Sequence, residues 1–139
     1  MFKNVMMVCI GNICRSSMAE IMLREEKPEL NVFSSGLGAL VGKPADPNTV
    51  SVLNANHFEN TSHSAQQINA DLVKQADIIL TMENRHINSI HKQFPESRGK
   101  VHLIGKWQDN TEIPDPYKKE VKAFEETYSL VEKLSLIHI

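Results

Sequence analysis

The segment over residues 8–16, VCIGNICRS, constrains the fold of this chain more than any other stretch. It follows an apolar run over residues 5–8 that predicts a buried strand. It precedes residues 17–26, whose apolar positions have the spacing of an amphipathic helix. The segment is therefore predicted to be a loop between the carboxyl end of a strand and the amino end of a helix. Backbone N–H groups and the helix dipole favour anion binding at such a position.

The residue types in this loop are typical of a phosphate site that carries a nucleophile. Arg15 offers a planar set of donors that can contact two phosphate oxygens at once. Gly11 and Asn12 suit a tight loop with positive φ. A lone cysteine after a strand is usually a buried small hydrophobe. Cys9 is a better candidate nucleophile because Arg15, Ser16 and a helix follow it, and Ser16 is expected to donate its hydroxyl to the Cys9 thiolate.

Composition limits the class of protein. The chain has 139 residues, of which 41% are hydrophobic and 23% charged, and this predicts one globular domain over residues 1–139. A net charge of −2 without a basic tract argues against nucleic acid as a partner. The two cysteines lie five positions apart in one loop, which is neither a disulfide framework nor a zinc motif. We expect a cytoplasmic protein with no membrane insertion, no metal and no cofactor.

The rest of the chain alternates strands and helices. Strands are predicted at residues 5–8, 31–34, 77–82 and 101–104, and helices at 17–26, after Asp46-Pro47, from Asn69 to Gln75, at 83–94 and from Lys118 to about Leu136. Apolar positions expected in the core of the second and last helices are Val50, Val52, Leu53, Val121, Phe124, Tyr128, Val131 and Leu134. Glu83, Arg85 and Lys92 are expected to form a solvent-exposed helix face.

This order predicts a three-layer α/β fold. Strands joined by helices imply right-handed crossovers and a four-stranded parallel sheet with helices on both faces, with the phosphate loop between strand 1 and helix 1. Ligands bind such sheets beyond the carboxyl ends of the strands, where Cys9 lies. The loop after the fourth strand, residues 105–117, rises at the same edge, so Asp115 can meet Cys9. Leu40 and Val41 are expected to expose apolar side chains near this cleft.

Two motifs carry a resemblance to a known family. Cys9 to Ser16 has the pattern C-x5-R-S near the N-terminus, and Asp115-Pro116-Tyr117 lies far downstream. Further similar segments are residues 34–40, 42–47, 76–83 and 113–117, so the similarity covers nearly the whole chain. The chain thus resembles the low-molecular-weight protein tyrosine phosphatases. It is most similar to the bacterial Wzb-type members that are encoded with capsule or exopolysaccharide tyrosine autokinases.

The resemblance implies a role for each matching residue. Cys9 is the expected nucleophile, Arg15 binds phosphate and stabilises the transition state, Asp115 is the general acid and base, and Ser16 stabilises the thiolate. The residues of the phosphate loop are Ile10, Gly11, Asn12, Ile13 and Cys14. The walls of the substrate pocket are formed by Leu40 and Tyr117 together with Ile10 and Ile13. Ser34 and His63 give structural support to the loop. The expected reaction releases inorganic phosphate from phosphotyrosine in the tail of a membrane tyrosine autokinase that controls polysaccharide export.

Several alternatives stay open at this point. Related protein arginine phosphatases carry threonine at the position of Ile13, and isoleucine favours phosphotyrosine. Arsenate reductases of this fold need further cysteines, and none follows Cys14. A non-catalytic phosphotyrosine-binding module would need neither a nucleophile nor an acid. Cys14 is either a partner for a reversible disulfide with Cys9 or a buried structural thiol.

Overall fold

A computed structural model of the chain describes residues 2–135. Its centre is a parallel sheet of four strands in the order β2-β1-β3-β4. The strands are β1 (Asn4–Cys9), β2 (Asn31–Gly36), β3 (Ile78–Thr81) and β4 (Val101–Leu103). The predicted four-stranded parallel sheet is confirmed. The inner strand β1 is apolar from Val5 to Cys9 because both of its faces are covered, and the side chains of residues 5–8 have no exposed surface.

Helices cover both faces of the sheet. They are α1 (Arg15–Glu26), α2 (Pro47–Ala55), α3 (Ala70–Gln75), α4 (Asn84–Gln93) and α5 (Val121–Ser135), with a 3-10 turn at Pro95–Ser97. On one face, Met7 and Cys9 share a core with residues of α1, α2 and α5. On the other, Met6 and Val8 pack with residues of α3 and α4. The alternation of β1 side chains therefore places Cys9 on the α1 side. None of the helices within residues 2–135 is long and apolar enough to cross a membrane.

The sequence signals for two helix starts are confirmed by the capping geometry. The Asp46 side chain accepts the N–H of Asn48 at 2.9 Å, and Pro47 is the first residue of α2. The Asn69 side chain accepts the N–H of Leu72 at 2.9 Å at the start of α3. Each side chain satisfies a backbone donor that has no partner within its helix.

Three details of the helix predictions are wrong or lie outside the described residues. Val50 is only half-buried, since the core-facing position next to it in α2 is taken by Thr49. Helix α5 starts at Val121 rather than Lys118, because Lys118 has φ 62, and Val121 is 46% exposed. The predicted helix end near residue 136 and the apolar residues 136–139 lie outside the described residues. Phe124, Tyr128, Val131 and Leu134 are buried as expected.

Candidate active site

The loop between β1 and α1 has its backbone carbonyls tied to the surrounding scaffold. The carbonyls of Ile10, Gly11, Asn12 and Ile13 accept hydrogen bonds from Gly38, Leu40, His63 and Asp46, respectively. Within residues 2–135, the N–H groups of residues 10–14 donate to no protein acceptor. Because N–H and carbonyl groups of a peptide point in opposite directions, the outward carbonyls turn these donors toward a common centre at the start of α1. This arrangement is a cradle for an anion.

Asn12 is the residue that fixes the shape of the loop. It is fully buried with φ 62, in the left-handed region expected for it. Its Oδ1 accepts the N–H of Gln66 at 2.9 Å, and its Nδ2 donates to the hydroxyls of Ser16 and Ser34, each at 2.8 Å. The expectation of positive φ at Gly11 is wrong. A Cβ at Gly11 would lie no closer than 3.9 Å to the neighbouring side chains, and the positive φ in this loop is at Asn12.

Cys9 and Ser16 are in direct contact. The Cys9 Sγ lies 2.9 Å from the Ser16 Oγ, and both side chains are buried. The Asn12 amide donates to the Ser16 oxygen, and this directs the Ser16 proton away from Asn12. The proton is then available to the sulfur, so Ser16 is placed to donate a hydrogen bond to a Cys9 thiolate.

Ser34 and His63 lie beneath the loop, where they share a partner that the sequence analysis missed. Ser34 donates to the carboxylate of Glu20, and His63 Nδ1 lies 3.4 Å from the same carboxylate. Through Nε2, His63 donates to the Asn12 carbonyl. Glu20 thus connects α1 to both supporting residues. No local motif points to it, because its partners are brought to α1 by β2 and by the irregular segment after α2.

Gly36 is a second residue that the sequence analysis did not single out as part of the site. It ends β2 opposite Cys9 in the sheet register. A Cβ at Gly36 would lie 2.2 Å from the backbone oxygen of Ile10, which is too close for any side chain. The approach of β2 to the loop therefore requires glycine at this position.

Arg15 ties the loop to two other segments. Its side chain is 1% exposed, and Nη1 donates both to the carboxylate of Glu83 and to the carbonyl of Ile113, the latter at 2.9 Å. Its Nη2 lies 3.7 Å from an oxygen of Asp115, and its buried Nε has no hydrogen-bond partner in the part of the chain that the structure describes. The prediction of a solvent-exposed Glu83 is wrong, since its side chain is 19% exposed. Glu83 follows β3, the neighbour of β1, and this puts it at the same sheet edge as Cys9.

Two titratable groups beside Arg15 have displaced pKa values. Burial favours a raised pKa for Glu83, but hydrogen bonds from Arg85 and Arg15 and the charges of both hold it below its ordinary value. The pKa of His86, which is 1% exposed, is lowered to about 4 by burial and by the charge of Arg15. The neutral ring accepts the N–H of Glu83 at Nδ1, 3.3 Å away.

Above the loop, one pocket collects the residues expected at the site. It is lined by Cys9, Ile10, Gly11, Ile13, Cys14, Arg15, Gly38, Leu40, Asp115 and Tyr117. Leu40 and Tyr117 are each 40% exposed and stand at its mouth. The Asp115 side chain is 42% exposed, and its Oδ1 accepts the N–H of Tyr117 at 3.0 Å. A buried thiol and guanidinium therefore lie together with apolar walls and an accessible carboxyl group.

Cys14 lies in the same pocket with 4% of its surface exposed, and burial raises the pKa of its thiol. Both cysteines are free thiols. The disulfide between them stays a prediction. Within residues 2–135, no three His, Cys, Asp or Glu side chains come together in a way that could hold a metal ion.

Comparisons with known proteins agree with this geometry. The profile of the low molecular weight phosphotyrosine protein phosphatase family matches residues 4–136. The phosphatase Wzb of Escherichia coli (strain K12) is 50% identical over 133 residues, which is 96% of this chain and 90% of that protein. The structure of Vibrio vulnificus Wzb in complex with benzylphosphonate is similar with a TM-score of 0.93 and 37% identity, covering 97% of this chain and 95% of that one.

A more distant structure belongs to the YwlE arginine phosphatase from Geobacillus stearothermophilus. Its TM-score is 0.89 at 26% identity, with 96% of this chain and 88% of that chain covered. The family match spans nearly the whole chain and includes both the C-x5-R-S loop and the segment with Asp115. The chain belongs to the low molecular weight phosphotyrosine protein phosphatase family, and the enzyme class expected from its sequence, protein-tyrosine phosphatase, is confirmed.

Proposed function

We propose that this protein hydrolyses phosphotyrosine in proteins through a phosphocysteine intermediate. The observation that carries the proposal is that a buried thiol, a buried guanidinium and an accessible carboxyl group line one pocket with apolar walls. Cys9 is the nucleophile, Arg15 the phosphate ligand and Asp115 the general acid and base. Ser16 stabilises the thiolate.

In the first step, the Cys9 thiolate attacks phosphorus in line with the phenolic oxygen. The S–P bond forms as the P–O bond breaks, and protonated Asp115 gives its proton to the departing oxygen. The loop N–H groups and the Nη2 and Nε groups of Arg15 hold the three equatorial oxygens. These donors are fixed before the substrate arrives, so they stabilise the transition state without reorganisation.

In the second step, water attacks phosphorus and its proton passes to the Asp115 carboxylate. The S–P bond breaks, inorganic phosphate leaves and the thiolate returns. The hydroxyl of Ser16, 2.9 Å from the sulfur, stabilises the thiolate as a leaving group. Asp115 is thereby protonated again for the next substrate.

The pocket walls support a preference for phosphotyrosine. An aromatic ring fits between Leu40 and Tyr117, and it is long enough to bring the phosphate down to Cys9. The stem of phosphoserine is too short to do so. Ile13 lines the pocket with an apolar side chain where the arginine phosphatases are expected to have threonine. The benzylphosphonate in the Vibrio vulnificus structure combines an aromatic ring with a phosphate-like group.

For the cellular role, we infer a phosphorylated tail of a membrane tyrosine autokinase as the partner, in the control of capsule or exopolysaccharide production. The relatives named Wzb support this inference. A catalytic Cys9 must stay reduced, which supports a cytoplasmic location. We expect a Cys9→Ser variant to capture a phosphorylated autokinase tail and not the unphosphorylated tail. Equal capture of both forms would contradict the assignment.

The activity is tested by measuring phosphate release from phosphotyrosine, phosphoserine and phosphoarginine peptides of one sequence. We expect release from the phosphotyrosine peptide, none after Cys9→Ser, and a loss of about 10²–10⁴ in kcat after Asp115→Asn, because the phenolate then leaves unprotonated. The assays are run at mildly acidic to neutral pH.

The other outcomes identify the remaining candidates. Preferred release from the phosphoarginine peptide would make the protein an arginine phosphatase. Retained phosphopeptide binding without release would make it a binding module. Arsenate reduction is disfavoured because the sequence has no cysteine after Cys14 to carry the disulfide outward. A His57→Asn variant, altered at an exposed position, serves as the control for handling and folding.

A further inference from the structure

We propose that Glu83 is a positioning residue that orients Arg15 toward the transition state. The inference rests on the proposed function and adds a residue to it. Glu83 lies outside the lining of the pocket, and its carboxylate contacts Arg15 from behind. Its effect on catalysis is therefore exerted through the guanidinium.

The contacts of Arg15 divide its guanidinium into a fixed part and a free part. Nη1 donates to the Glu83 carboxylate and to the carbonyl of Ile113. Among residues 2–135, Nε has no hydrogen-bond partner, and the neighbour of Nη2 is the carboxyl group of Asp115, 3.7 Å away. The edge formed by Nε and Nη2 is the one that can contact two phosphate oxygens in parallel. Fixing Nη1 turns this edge toward the pocket.

Glu83 is itself held in place. Arg85 donates to the carboxylate through Nε at 3.0 Å and through a second nitrogen at 3.3 Å. His86 accepts the Glu83 N–H, and its Nε2 lies buried 3.6 Å from the carboxylate. Arg85 and His86 therefore restrain the carboxylate that contacts Arg15. The neighbouring carboxylate of Asp115 is more exposed and would otherwise compete for the guanidinium.

Orientation matters most in the transition state. The three equatorial oxygens then become coplanar, and the Arg15 edge must align with two of them. A misplaced guanidinium still attracts a tetrahedral phosphate by charge, whereas alignment with the planar group is lost. Loss of Glu83 should therefore lower kcat while KM changes little. Vanadate, which resembles the trigonal-bipyramidal transition state when bound to a thiolate, should lose affinity more than phosphate does.

The test compares Glu83→Gln with Glu112→Gln. Gln has nearly the same shape as Glu and still accepts one hydrogen bond, so folding should be preserved. Glu112 is a matched control, because it is an exposed carboxylate that accepts the N–H of Asn84 at 2.7 Å near the same helix start. For Glu83→Gln we expect kcat to fall about tenfold, with KM and the Ki of phosphate within about threefold and the Ki of vanadate raised about tenfold.

A double-mutant cycle separates positioning from structure. In an Arg15→Lys background, which lacks the planar edge, Glu83→Gln should cost little further activity, since residues that act as a unit are not additive. Additive losses in kcat, or a lower urea midpoint with unchanged kcat, would overturn the proposal. If the wild type is active and Glu83→Gln has the same kcat, only the role of Glu83 is overturned. An inactive wild type overturns this proposal together with the proposed function.

Discussion

The contact between Cys9 and Ser16 depends on a third residue, Asn12. Its amide has one oxygen and one nitrogen, and the oxygen is committed to the backbone N–H of Gln66. The nitrogen must then face the two hydroxyls of Ser16 and Ser34, which sets the direction of the Ser16 proton. The buried amide of Asn12 thus orients the Ser16 hydroxyl beside the Cys9 sulfur.

Removing the Ser16 hydroxyl tests this hydrogen bond. We expect Ser16→Ala to lower kcat about 10–100-fold, because a hydrogen bond to a charged group contributes about 1.5–3 kcal/mol. Steady-state hydrolysis of a phosphotyrosine peptide measures the change. Ser62→Ala, in an exposed segment, should leave kcat unchanged. An unaltered kcat in Ser16→Ala would mean that the hydroxyl does not hold the thiolate.

The strand pairing between β1 and β2 determines how closely β2 approaches the phosphate loop. Cys9 pairs with Gly36 in the register, and the carbonyl of Ile10 follows immediately. Gly36 is also anchored on its other side, where its N–H donates to Gln66 and its carbonyl accepts from Ile68. The end of β2 is therefore clamped between the loop and a neighbouring segment, with no room to move away.

A methyl group at Gly36 should displace the loop. We expect Gly36→Ala to lower the free energy of unfolding by about 1–3 kcal/mol, as overpacking does, and to reduce kcat by displacing the backbone of Ile10. Urea denaturation and phosphatase assays measure the two effects. Gly38→Ala is the matched control for stability, because a Cβ there would meet its nearest neighbour at 3.8 Å. Equal unfolding free energies for the two variants would contradict this prediction.

The buried His86 contributes to the way in which the stability of the whole molecule changes with pH. Its pKa is about 4 in the folded protein and 6.5 as its ordinary value. Between these values the unfolded chain binds a proton that the folded chain does not, so stability falls as the pH decreases from 6.5 to about 4. Each pH unit in this range changes the free energy of unfolding by about 1.4 kcal/mol, so His86 lowers it by about 3 kcal/mol between pH 6.5 and pH 4.

The prediction is tested by urea unfolding between pH 7 and pH 4 in wild type and His86→Asn. Asparagine can still accept the N–H of Glu83 but does not titrate, so the variant should show a shallower fall in the free energy of unfolding. His57→Asn is the control, since His57 is exposed with φ 71, a conformation that asparagine tolerates. Parallel curves for wild type and His86→Asn would show that His86 is not the group responsible.

The sequence by itself determined the strand, loop and helix around Cys9, the parallel sheet, and the meeting of Asp115 with that loop. These features follow from local patterns, namely apolar periodicity, helix caps and the order of strands and helices. The extent of the single domain stays a prediction. The start of α5 was misplaced because apolar spacing does not reveal the left-handed conformation of Lys118.

Only the tertiary structure decided which carboxylate pairs with Arg15. Glu83 is 68 positions away and has the local pattern of a solvated helix start, yet the placement of β3 beside β1 brings it behind the guanidinium. Glu20 joins Ser34 and His63 in the same way. Ion pairs between distant segments depend on strand order and register, whereas hydrophobic periodicity is set by neighbours along the chain. Local pattern therefore pointed to Cys9 as the candidate nucleophile, and packing decided which carboxylates contact Arg15, Ser34 and His63.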